Sequence, residues 1–524
     1  MSASGGGSMA AEARALLAAC LAGAMLVAPG TRATSQPPLA PAASRGFPYV
    51  LERTRVLDVN RLALHVSNAG PFALDPARFE AGLEYPRGSR LPLAFAAGPW
   101  LIGIAGAETL SAISEFAWEF VPGPSTAGRA TFDTLHHVVY RTARADTAGR
   151  GQWLERGEQV GAPLDPSTRE PVLRGDLHLW TVFTDAPTQP PQSPSPRFGT
   201  TAPIGVDVAL SVYAFDRPGF ASEAAFLEYT LVHRGAATLD STWFGIWLDA
   251  LGSHGSPPLT AYDEALELAI AYRQRDDDAL YGASGPALGL LWLRGPSAGA
   301  GGPLAPGSFV VWANAGDPQN LRETLGAMRG LRPQLGPMID PTTQQPSPYW
   351  APGDPVTGAG WVDTVITHPH LVLAAGPFRF APGDTQRVAV ALLVGRGPSR
   401  LESVTRLRSQ AAEATAAWAE DFASLPPWTP PTPPPARGRA WPNPASGTVS
   451  IGWRAVPGTP LTVEVFDPRG RRVRHLRTVA TQGPDGSTPW DLHDDAGRRV
   501  RPGLYLARVS GPGIEHAARL VVLE

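Results

Sequence analysis

Residues 461–470 read LTVEVFDPRG, and this stretch decides the fold of the C-terminal end of the chain. Apolar side chains at positions 461, 463 and 465 alternate with polar ones at 462 and 464, which is the period of a half-buried β-strand. The strand runs into Asp467-Pro468-Arg469-Gly470, where proline restricts φ and glycine tolerates the positive φ of a tight turn. The stretch therefore predicts a strand that enters a hairpin.

The same pattern of strand and turn continues to the C-terminus. Another turn is predicted at Asp494–Gly497, a strand at Leu504–Val509, and a last strand at Ala518–Leu523. Short strands at this spacing are typical of a β-sandwich. We therefore predict a small β-sandwich over residues 441–524.

The larger part of the chain, residues 46–422, has the same character. Residues 209–215 and 226–232 alternate in period two, and the 56 Gly and 56 Pro residues lie between apolar runs. Continuous apolar runs that predict buried strands lie at Ala287–Leu293, Phe309–Ala313 and Val388–Val394. We predict a mainly all-β chain, in which a large β-sandwich-rich middle region of two subdomains precedes the small sandwich.

Two segments of the middle region predict helices. The apolar residues between Leu321 and Met328 fall on one helical face, directly after Asn320. Apolar residues also recur at helical spacing from Val404 to Phe422, and Ser403 is the expected N-cap. The second helix should close the middle region by packing on a sheet face.

The N-terminal 33 residues are predicted to be a signal peptide. Arg14 precedes an apolar run, Ala15 to Ala28, that small residues follow, and either Met1 or Met9 can be the start. The run is shorter than the roughly 20 residues that span a bilayer, so no integral membrane segment is expected after cleavage. Cys20 is the only cysteine and ends a lipoprotein-like box, Leu17-Ala18-Ala19-Cys20; lipidation and ordinary cleavage both remain open.

Two linkers complete the predicted organisation. Residues 34–45 are rich in Pro, Ala and Ser and should be flexible. Residues 423–440 are rich in proline, which favours polyproline II and a semi-rigid spacer. This spacer is the clearest predicted domain boundary.

Charge argues against a nucleic-acid partner. All 44 basic residues are arginines, but the net charge is −3. From Gly438 onward the chain contains 12 arginines and 8 acidic residues. The net charge of this part is therefore +4, and that of the rest of the chain is −7. Its cluster at Arg471, Arg472, Arg474 and Arg477 fits either a solvated hairpin edge or a binding patch.

Five short motifs in the C-terminal region occur in a fixed order. They are Trp441-Pro442-Asn443-Pro444, Val463-Glu464-Val465-Phe466-Asp467 with Gly470-Arg471, Trp490-Asp491, Asp495-Ala496-Gly497, and Gly503-Leu504-Tyr505. This order resembles the immunoglobulin-like domain of flagellar hook-capping proteins and the C-terminal sorting domains of type IX secretion substrates. The resemblance implies an Ig-like sandwich that directs passage across the outer membrane, can be removed on arrival, and has the secretion machinery as its partner. It implies no catalysis.

The middle region is similar to large uncharacterised secreted proteins that carry such modules. The similarity rests on segments such as Gly82–Ser89, Phe95–Trp100 and Pro382–Thr385, and it names no activity. Those relatives have an acidic run after a strand, of a kind that suits a hard cation such as Ca²⁺. The candidate calcium ligands here, which can equally be ordinary acidic turn residues, are Asp249, Asp263, Asp276 and Asp278.

Catalytic motifs are weak. Gly295–Gly299 matches Gly-x-Ser-x-Gly, but glycines and a proline follow where a nucleophile elbow needs a helix, so a hairpin turn is expected. The pairs His136-His137 and His368/His370 lack a third zinc ligand nearby. Glu115 and Glu119 would share one face of a strand, which is more simply a polar sheet face than a glycosidase pair.

Three hypotheses follow for the whole chain. The first is an exported, extracellular or cell-surface, non-enzymatic protein that its C-terminal module sorts or anchors. The second is a surface protein that binds carbohydrate or another polymer through exposed aromatic side chains, although most of the 15 Trp residues are expected in the core. The third is a secreted hydrolase of unrecognised type.

Overall fold

The structure is a computed structural model that describes residues 54–523 except 77, 116–118, 132, 145–146, 188–200, 252–256, 314–315, 366–367, 429–439, 456–457, 481–484 and 513. The predicted signal peptide with Cys20, the linker 34–45 and most of the Pro-rich linker lie outside the described residues. The chain divides into two compact units, and the division falls between Pro426 and Pro427, inside the predicted linker 423–440.

The described residues form mainly β-strands, as predicted. The strands of the large unit are β1 (Arg55–Leu57), β2 (Ala63–Val66), β3 (Leu74–Asp75), β4 (Glu80–Ala81), β5 (Leu83–Glu84), β6 (Pro92–Ala105), β7 (Glu108–Ile113), β8 (Val121–Pro122), β9 (Ser125–Thr126), β10 (Arg129–Ala130), β11 (Tyr140–Ala143), β12 (Leu177–Thr184), β13 (Val206–Ala214), β14 (Ala224–His233), β15 (Leu239–Ala250), β16 (Leu259–Asp263), β17 (Leu268–Tyr272), β18 (Ala287–Arg294), β19 (Ser308–Ala313), β20 (Leu331–Arg332), β21 (Gly336–Ile339), β22 (Pro346–Ser347), β23 (Pro369–Phe380) and β24 (Thr385–Gly395). The strands of the small unit are β25 (Ala440–Trp441), β26 (Val449–Arg454), β27 (Pro460–Phe466), β28 (Arg472–Val479), β29 (Asp485–Trp490), β30 (Gly503–Gly511) and β31 (Ile514–Val522). The α-helices are α1 (Thr147–Gln152), α2 (Leu321–Met328) and α3 (Arg400–Ala419), and further helical turns lie at Trp153–Gly157, Glu158–Val160, Gly219–Glu223 and Gly299–Gly301.

Two antiparallel sheets build the large unit. The eight-stranded sheet has the order β1-β2-β5-β6-β15-β23-β19, with β7 paired to β6. The nine-stranded sheet has the order β11-β12-β13-β14-β24-β18-β17-β16, with β8 paired to β12. The runs predicted as buried strands are confirmed: they form β18, β19 and β24.

One apolar core joins the two sheets. The ring centroids of Tyr229 on β14 and Phe244 on β15 are 5.4 Å apart, and Tyr262 on β16 stacks on Phe309 on β19 at 5.5 Å. These pairs cross from the nine-stranded to the eight-stranded sheet, and all four side chains belong to the same core cluster. The large unit is therefore a β-sandwich in which both sheets share one interior, where we had predicted two subdomains.

Helix α3 covers the outer face of the nine-stranded sheet, as predicted. Its apolar face, which includes Val404, Leu407 and Ala411, packs on side chains of β14, β17, β18 and β24. The N-cap is Ser399, whose side chain accepts a hydrogen bond from the backbone N–H of Glu402. The prediction that Ser403 is the cap was wrong: Ser403 is buried one turn into the helix, where its hydroxyl donates to the Gly285 carbonyl at 2.8 Å.

A buried carboxylate ties this helix to both sheets. Glu223, which precedes β14 and is 2% exposed, accepts hydrogen bonds from Arg61 Nη1 at 2.7 Å, Tyr85 Oη at 2.7 Å and Gln410 Nε2 at 2.6 Å. Arg61 and Tyr85 belong to the connections of the eight-stranded sheet, and Gln410 belongs to α3. The charge is thus stabilised by three donors from three parts of the unit.

A second buried ion pair holds the last residue of the large unit. Arg217, which follows β13, forms a two-pronged ion pair with Asp176, which precedes β12. The Arg217 Nε donates to the Pro426 carbonyl at 2.8 Å. The end of the unit is therefore attached to the side chain of a buried arginine.

The small unit is a two-sheet sandwich with its own core. A three-stranded sheet, β25-β26-β29, and a four-stranded sheet, β28-β27-β30-β31, contribute to one cluster of buried side chains. Trp490 on β29 and Tyr505 on β30 meet across it with ring centroids 5.7 Å apart. The predicted strands at 461–466, 504–509 and 518–523 form β27, β30 and β31.

Two turns of the small unit share the sequence Asp-x-x-Gly-Arg and one geometry. In each, the aspartate side chain accepts from backbone N–H groups of the turn and contacts the side chain of the arginine four residues later: Asp467 with Arg471, and Asp494 with Arg498. Gly470, at φ 77°, supplies the left-handed conformation that the first turn requires. The hydrogen bonds from Arg498 lower the pKa of Asp494, so both the charge and the turn are retained at mildly acid pH.

Separate cores predict separate unfolding transitions. Leu407→Ala in the large unit and Leu520→Ala in the small unit each remove a fully buried leucine side chain, which costs about 2–5 kcal/mol. By differential scanning calorimetry, each substitution should lower the transition of its own unit and leave the other within error. A single transition that both substitutions lower equally would contradict two independent cores.

Candidate functional sites

The four predicted calcium ligands each contact protein groups. Asp249 lies 3.6 Å from His370, and Asp263 forms an ion pair with Arg408 at 2.8 Å. Asp276 accepts a hydrogen bond from the backbone of Arg400, and Asp278 accepts from the backbone of Leu280 and Tyr281 and faces Arg273 at 3.4 Å. Within the described ranges, no group of three or more His, Cys, Asp or Glu has the arrangement of a metal site. Calcium binding stays a prediction.

One of these residues belongs to a buried Asp–His–Asp cluster that the sequence did not indicate. Asp249 on β15 and Trp312 on β19 both lie directly opposite His370 on β23. The His370 Nδ1 is 2.7 Å from Asp317 Oδ1, which also accepts from Trp312 Nε1 at 2.8 Å. The rings of His370 and Trp247 are nearly perpendicular, with their centroids 5.2 Å apart.

The two carboxylates decide the charge of this histidine. Burial alone would lower the pKa of His370, but Asp249 and Asp317 together raise it to about 10. The imidazole is therefore a cation at neutral pH, and it cannot accept a proton as a general base there. Its two nitrogens face carboxylates on opposite sides, so the cluster fits a buried structural ion group between strands.

The other motif candidates are dispersed. Ser297 of the Gly-x-Ser-x-Gly match lies in a turn, bridged to Pro303, and its N–H donates to the Gln386 side chain at 2.7 Å. His136 contacts Asp133 at 2.6 Å, whereas its neighbour His137 is buried. The expected hairpin turn at Ser297 is what the structure contains.

Glu115 and Glu119 do not lie on the strand that we predicted. Strand β7 ends at Ile113, and both glutamates follow it, with the intervening residues 116–118 outside the described ranges. Glu119 accepts from Ser111 Oγ at 3.1 Å and from the Ile113 N–H at 3.0 Å. Burial, opposed by these hydrogen bonds and reinforced by the charges of Asp185 and Glu115, raises the pKa of Glu119 to about 7.

Asp185 is a buried acid near the part-buried Glu119. It accepts hydrogen bonds from the N–H groups of Ile204 and Val206, both at 2.6 Å. Burial outweighs these bonds and raises the pKa of Asp185 to about 7 as well. In the folded state the two acids therefore hold their protons up to a higher pH than ordinary carboxyl groups do.

Aromatic side chains are mostly interior, as expected. Among the residues whose side chains the structure describes, Trp441 is the one aromatic residue that is mostly exposed, at 50%. The described surface therefore does not present the row of Trp or Tyr side chains that polymer binding would use.

The small unit instead exposes aliphatic side chains on the outer face of its four-stranded sheet. Leu504 and Leu506 on β30 are 45% and 42% exposed, while Val521 on β31 and Leu523, directly after the end of β31, are 37% and 48% exposed. Leu504 lies directly opposite Val521. We call this set, together with the part-buried Phe466 opposite Leu506, the apolar patch.

Arginines flank the apolar patch along one row of the sheet. Reading across β28, β27, β30 and β31, the directly opposed residues are Arg472, Phe466, Leu506 and Arg519. The sequence carried a signal for this face, because the strand Leu504-Tyr505-Leu506-Ala507 is apolar at successive positions and so has no polar side. Our strand prediction did not use that signal.

Comparisons with known proteins add little. No protein family and no curated protein matches the chain. A polysaccharide lyase is 8% identical, with 90% of this chain and 47% of that chain covered and a TM-score of 0.27. Dimeric latent PorU from Porphyromonas gingivalis is 10% identical (66% and 31% covered, TM-score 0.16), and PorZ, described as an essential surface component of the type-IX secretion system of Porphyromonas gingivalis, is 11% identical (90% and 58% covered, TM-score 0.14). The chain spans about half the length of the lyase, and similarity at this level carries no argument about function.

The raised pKa values of Glu119 and Asp185 predict a pH-dependent stability. Because the folded-state pKa of Glu119 and of Asp185 is raised, the free energy of unfolding should fall as pH rises from about 4.5 to about 7. Glu119→Gln keeps a hydrogen-bonding side chain but cannot ionise, so it should flatten this dependence. Urea unfolding at pH 5 and pH 8 measures the free energy of unfolding of each variant. Glu413→Gln, on the exposed side of α3, is the control. A wild-type unfolding free energy that rises over this range in parallel with that of Glu119→Gln would contradict the assignment.

Proposed function

We propose that this is an exported protein of the cell surface or the extracellular space, that its C-terminal unit sorts or anchors it, and that its large sandwich is non-enzymatic. The observation that carries the proposal is the C-terminal unit, a compact sandwich with its own core. A separately cored unit at the end of a chain can be recognised or removed without unfolding the rest.

Each motif behind the resemblance to sorting domains has a structural role in this unit. The amide of Asn443 in Trp441–Pro444 binds the edge of β31, donating to the Arg519 carbonyl at 2.8 Å and accepting from the Val521 N–H at 2.9 Å. Trp490 and Tyr505 form the core pair, one Asp-x-x-Gly-Arg turn closes the β27–β28 hairpin, and the other lies on the connection from β29 to β30. Motifs that build a small sandwich support a delivery module rather than a catalytic one.

The charge state of His370 supports the non-enzymatic part of the proposal. His370 lies between Asp249 and Asp317, and these carboxylates raise its pKa, an arrangement that suits a structural ion group better than a general base. The alternative of polymer binding is less favoured, because Trp441 is the one mostly exposed aromatic residue on the described surface.

Deletion of the C-terminal unit tests the proposal. A chain that lacks residues 441–524 should keep a folded large unit, because the two cores are separate, but should fail to reach the cell surface of a bacterium with type IX secretion. Protease accessibility on intact cells and mass spectrometry of the mature termini measure surface display, signal cleavage, Cys20 lipidation and C-terminal removal together.

The matched control keeps the unit and unfolds it. Leu520→Asp buries a charge in the small core and should block display as the deletion does, whereas Leu335→Asp, at a 67% exposed position of the large unit, should not. Normal surface display of the deleted chain would overturn the sorting role.

A further inference from the structure

The C-terminal unit is unusual for how much apolar surface it leaves open. Half of the large apolar side chains that the described residues expose most belong to it: Trp441, Val479, Leu504, Leu506, Val521 and Leu523. Four of them, with Phe466, occupy one end of one sheet face as the apolar patch. A contiguous apolar patch with a polar rim marks an interaction surface, because water contact is unfavourable for it.

The charges around the apolar patch specify the chemistry of what covers it. Arg472 and Arg519 end the row Arg472–Phe466–Leu506–Arg519, so cations lie on both sides of the apolar centre. Arg472 is paired with Glu464 at 3.1 Å, whereas no partner is described for the Arg519 side chain. Farther along the same face, Arg477 on β28 likewise has no described partner, and it lies opposite Thr462.

The net charge of the unit has the same sign. From Gly438 onward the chain carries +4, whereas the residues before it carry −7. A charge asymmetry between parts of a chain favours an anionic surface as the partner of the basic part. A second copy of the same face is disfavoured, because stacking it on itself would bring arginine rows together.

We propose that the apolar patch and its flanking arginines form a docking face for an anionic lipid surface. Phe466, Leu504, Leu506 and Val521 would enter the headgroup region, while Arg472 and Arg519 reach lipid phosphates on either side with their apolar stems on the patch. A sheet face presents these side chains in one plane, which matches a bilayer surface.

This inference extends the anchoring part of the proposed function. It is tested by vesicle binding, whereas the proposed function is tested by surface display. It requires peripheral contact only. The structure contains no helix in its described part that is long and apolar enough to cross a membrane.

Vesicle co-sedimentation of the full-length protein tests the docking face. We expect binding to vesicles of phosphatidylcholine mixed with phosphatidylglycerol, little binding to phosphatidylcholine alone, and weaker binding as salt rises. Arg519→Gln should weaken binding about fivefold, and adding Arg472→Gln should weaken it further by a smaller factor, because Glu464 already shares the charge of Arg472. Leu504→Ser with Leu506→Ser should weaken it at least about fivefold, because two exposed side chains lose their apolar contact.

Matched controls lie on the large unit. Arg294→Gln with Arg387→Gln, and Leu331→Ser with Leu335→Ser, change exposed residues of the same types and should leave binding unchanged. Circular dichroism melting of every variant establishes that it is folded. Three results would overturn the docking face: no binding by the wild type, equal loss in the control variants, or a concentration-dependent dimer on size exclusion that only the Leu504/Leu506 variant loses.

The two proposals can fail separately. If the patch variants still bind vesicles while deletion of 441–524 blocks surface display, the docking face is wrong and the sorting role stands. If the patch variants lose vesicle binding while the deleted chain is displayed normally, the docking face stands and the sorting role is wrong.

Discussion

The carboxylate of Glu223 is the interaction on which the architecture of the large unit depends most directly. A buried charge is costly unless donors surround it, and Glu223 obtains its donors from Arg61, Tyr85 and Gln410. Each donor comes from a different part of the unit, so the connections of the eight-stranded sheet, the start of β14 and helix α3 must all be in place together. The apolar core determines how the two sheets pack on each other. The Glu223 carboxylate determines the positions of helix α3 and of the connections of the eight-stranded sheet relative to that sandwich.

Sequence patterns predicted much of this architecture, because a strand that is buried in a sheet has apolar side chains at alternate or at successive positions. The runs at 287–293 and 388–394 became β18 and β24, and helix α3 packs where its apolar spacing indicated. We misplaced its N-cap at Ser403, because the sequence does not show which serine near the start of the helix has a tertiary partner; the cap is Ser399. Ser403 finds the Gly285 carbonyl, a contact 118 residues away along the chain.

Functional features were less predictable, and for a physical reason. The Asp249–His370–Asp317 cluster exists because β15 and β23 pair in one register and a loop brings Asp317 to them, and a single sequence does not encode cross-strand register. The apolar patch is different, since apolar residues at successive positions of β30 are visible in the sequence. A strand prediction that requires only one buried face does not reveal that the opposite face of the same strand is also apolar.

The attachment of Pro426 has a mechanical consequence. The chain leaves the large unit through a carbonyl held by Arg217, whose guanidinium is locked onto Asp176 beside the first residues of β12. A pulling force applied through the C-terminal unit, as drag on a tethered protein would apply it, reaches this buried ion pair before it reaches any strand. The pair would resist as a clamp, because the Arg217 contacts with Pro426 and Asp176 must break before the segment after α3 can be drawn away from the unit. The large sandwich is therefore reinforced, through Arg217, at the point where a surface tether would apply its force.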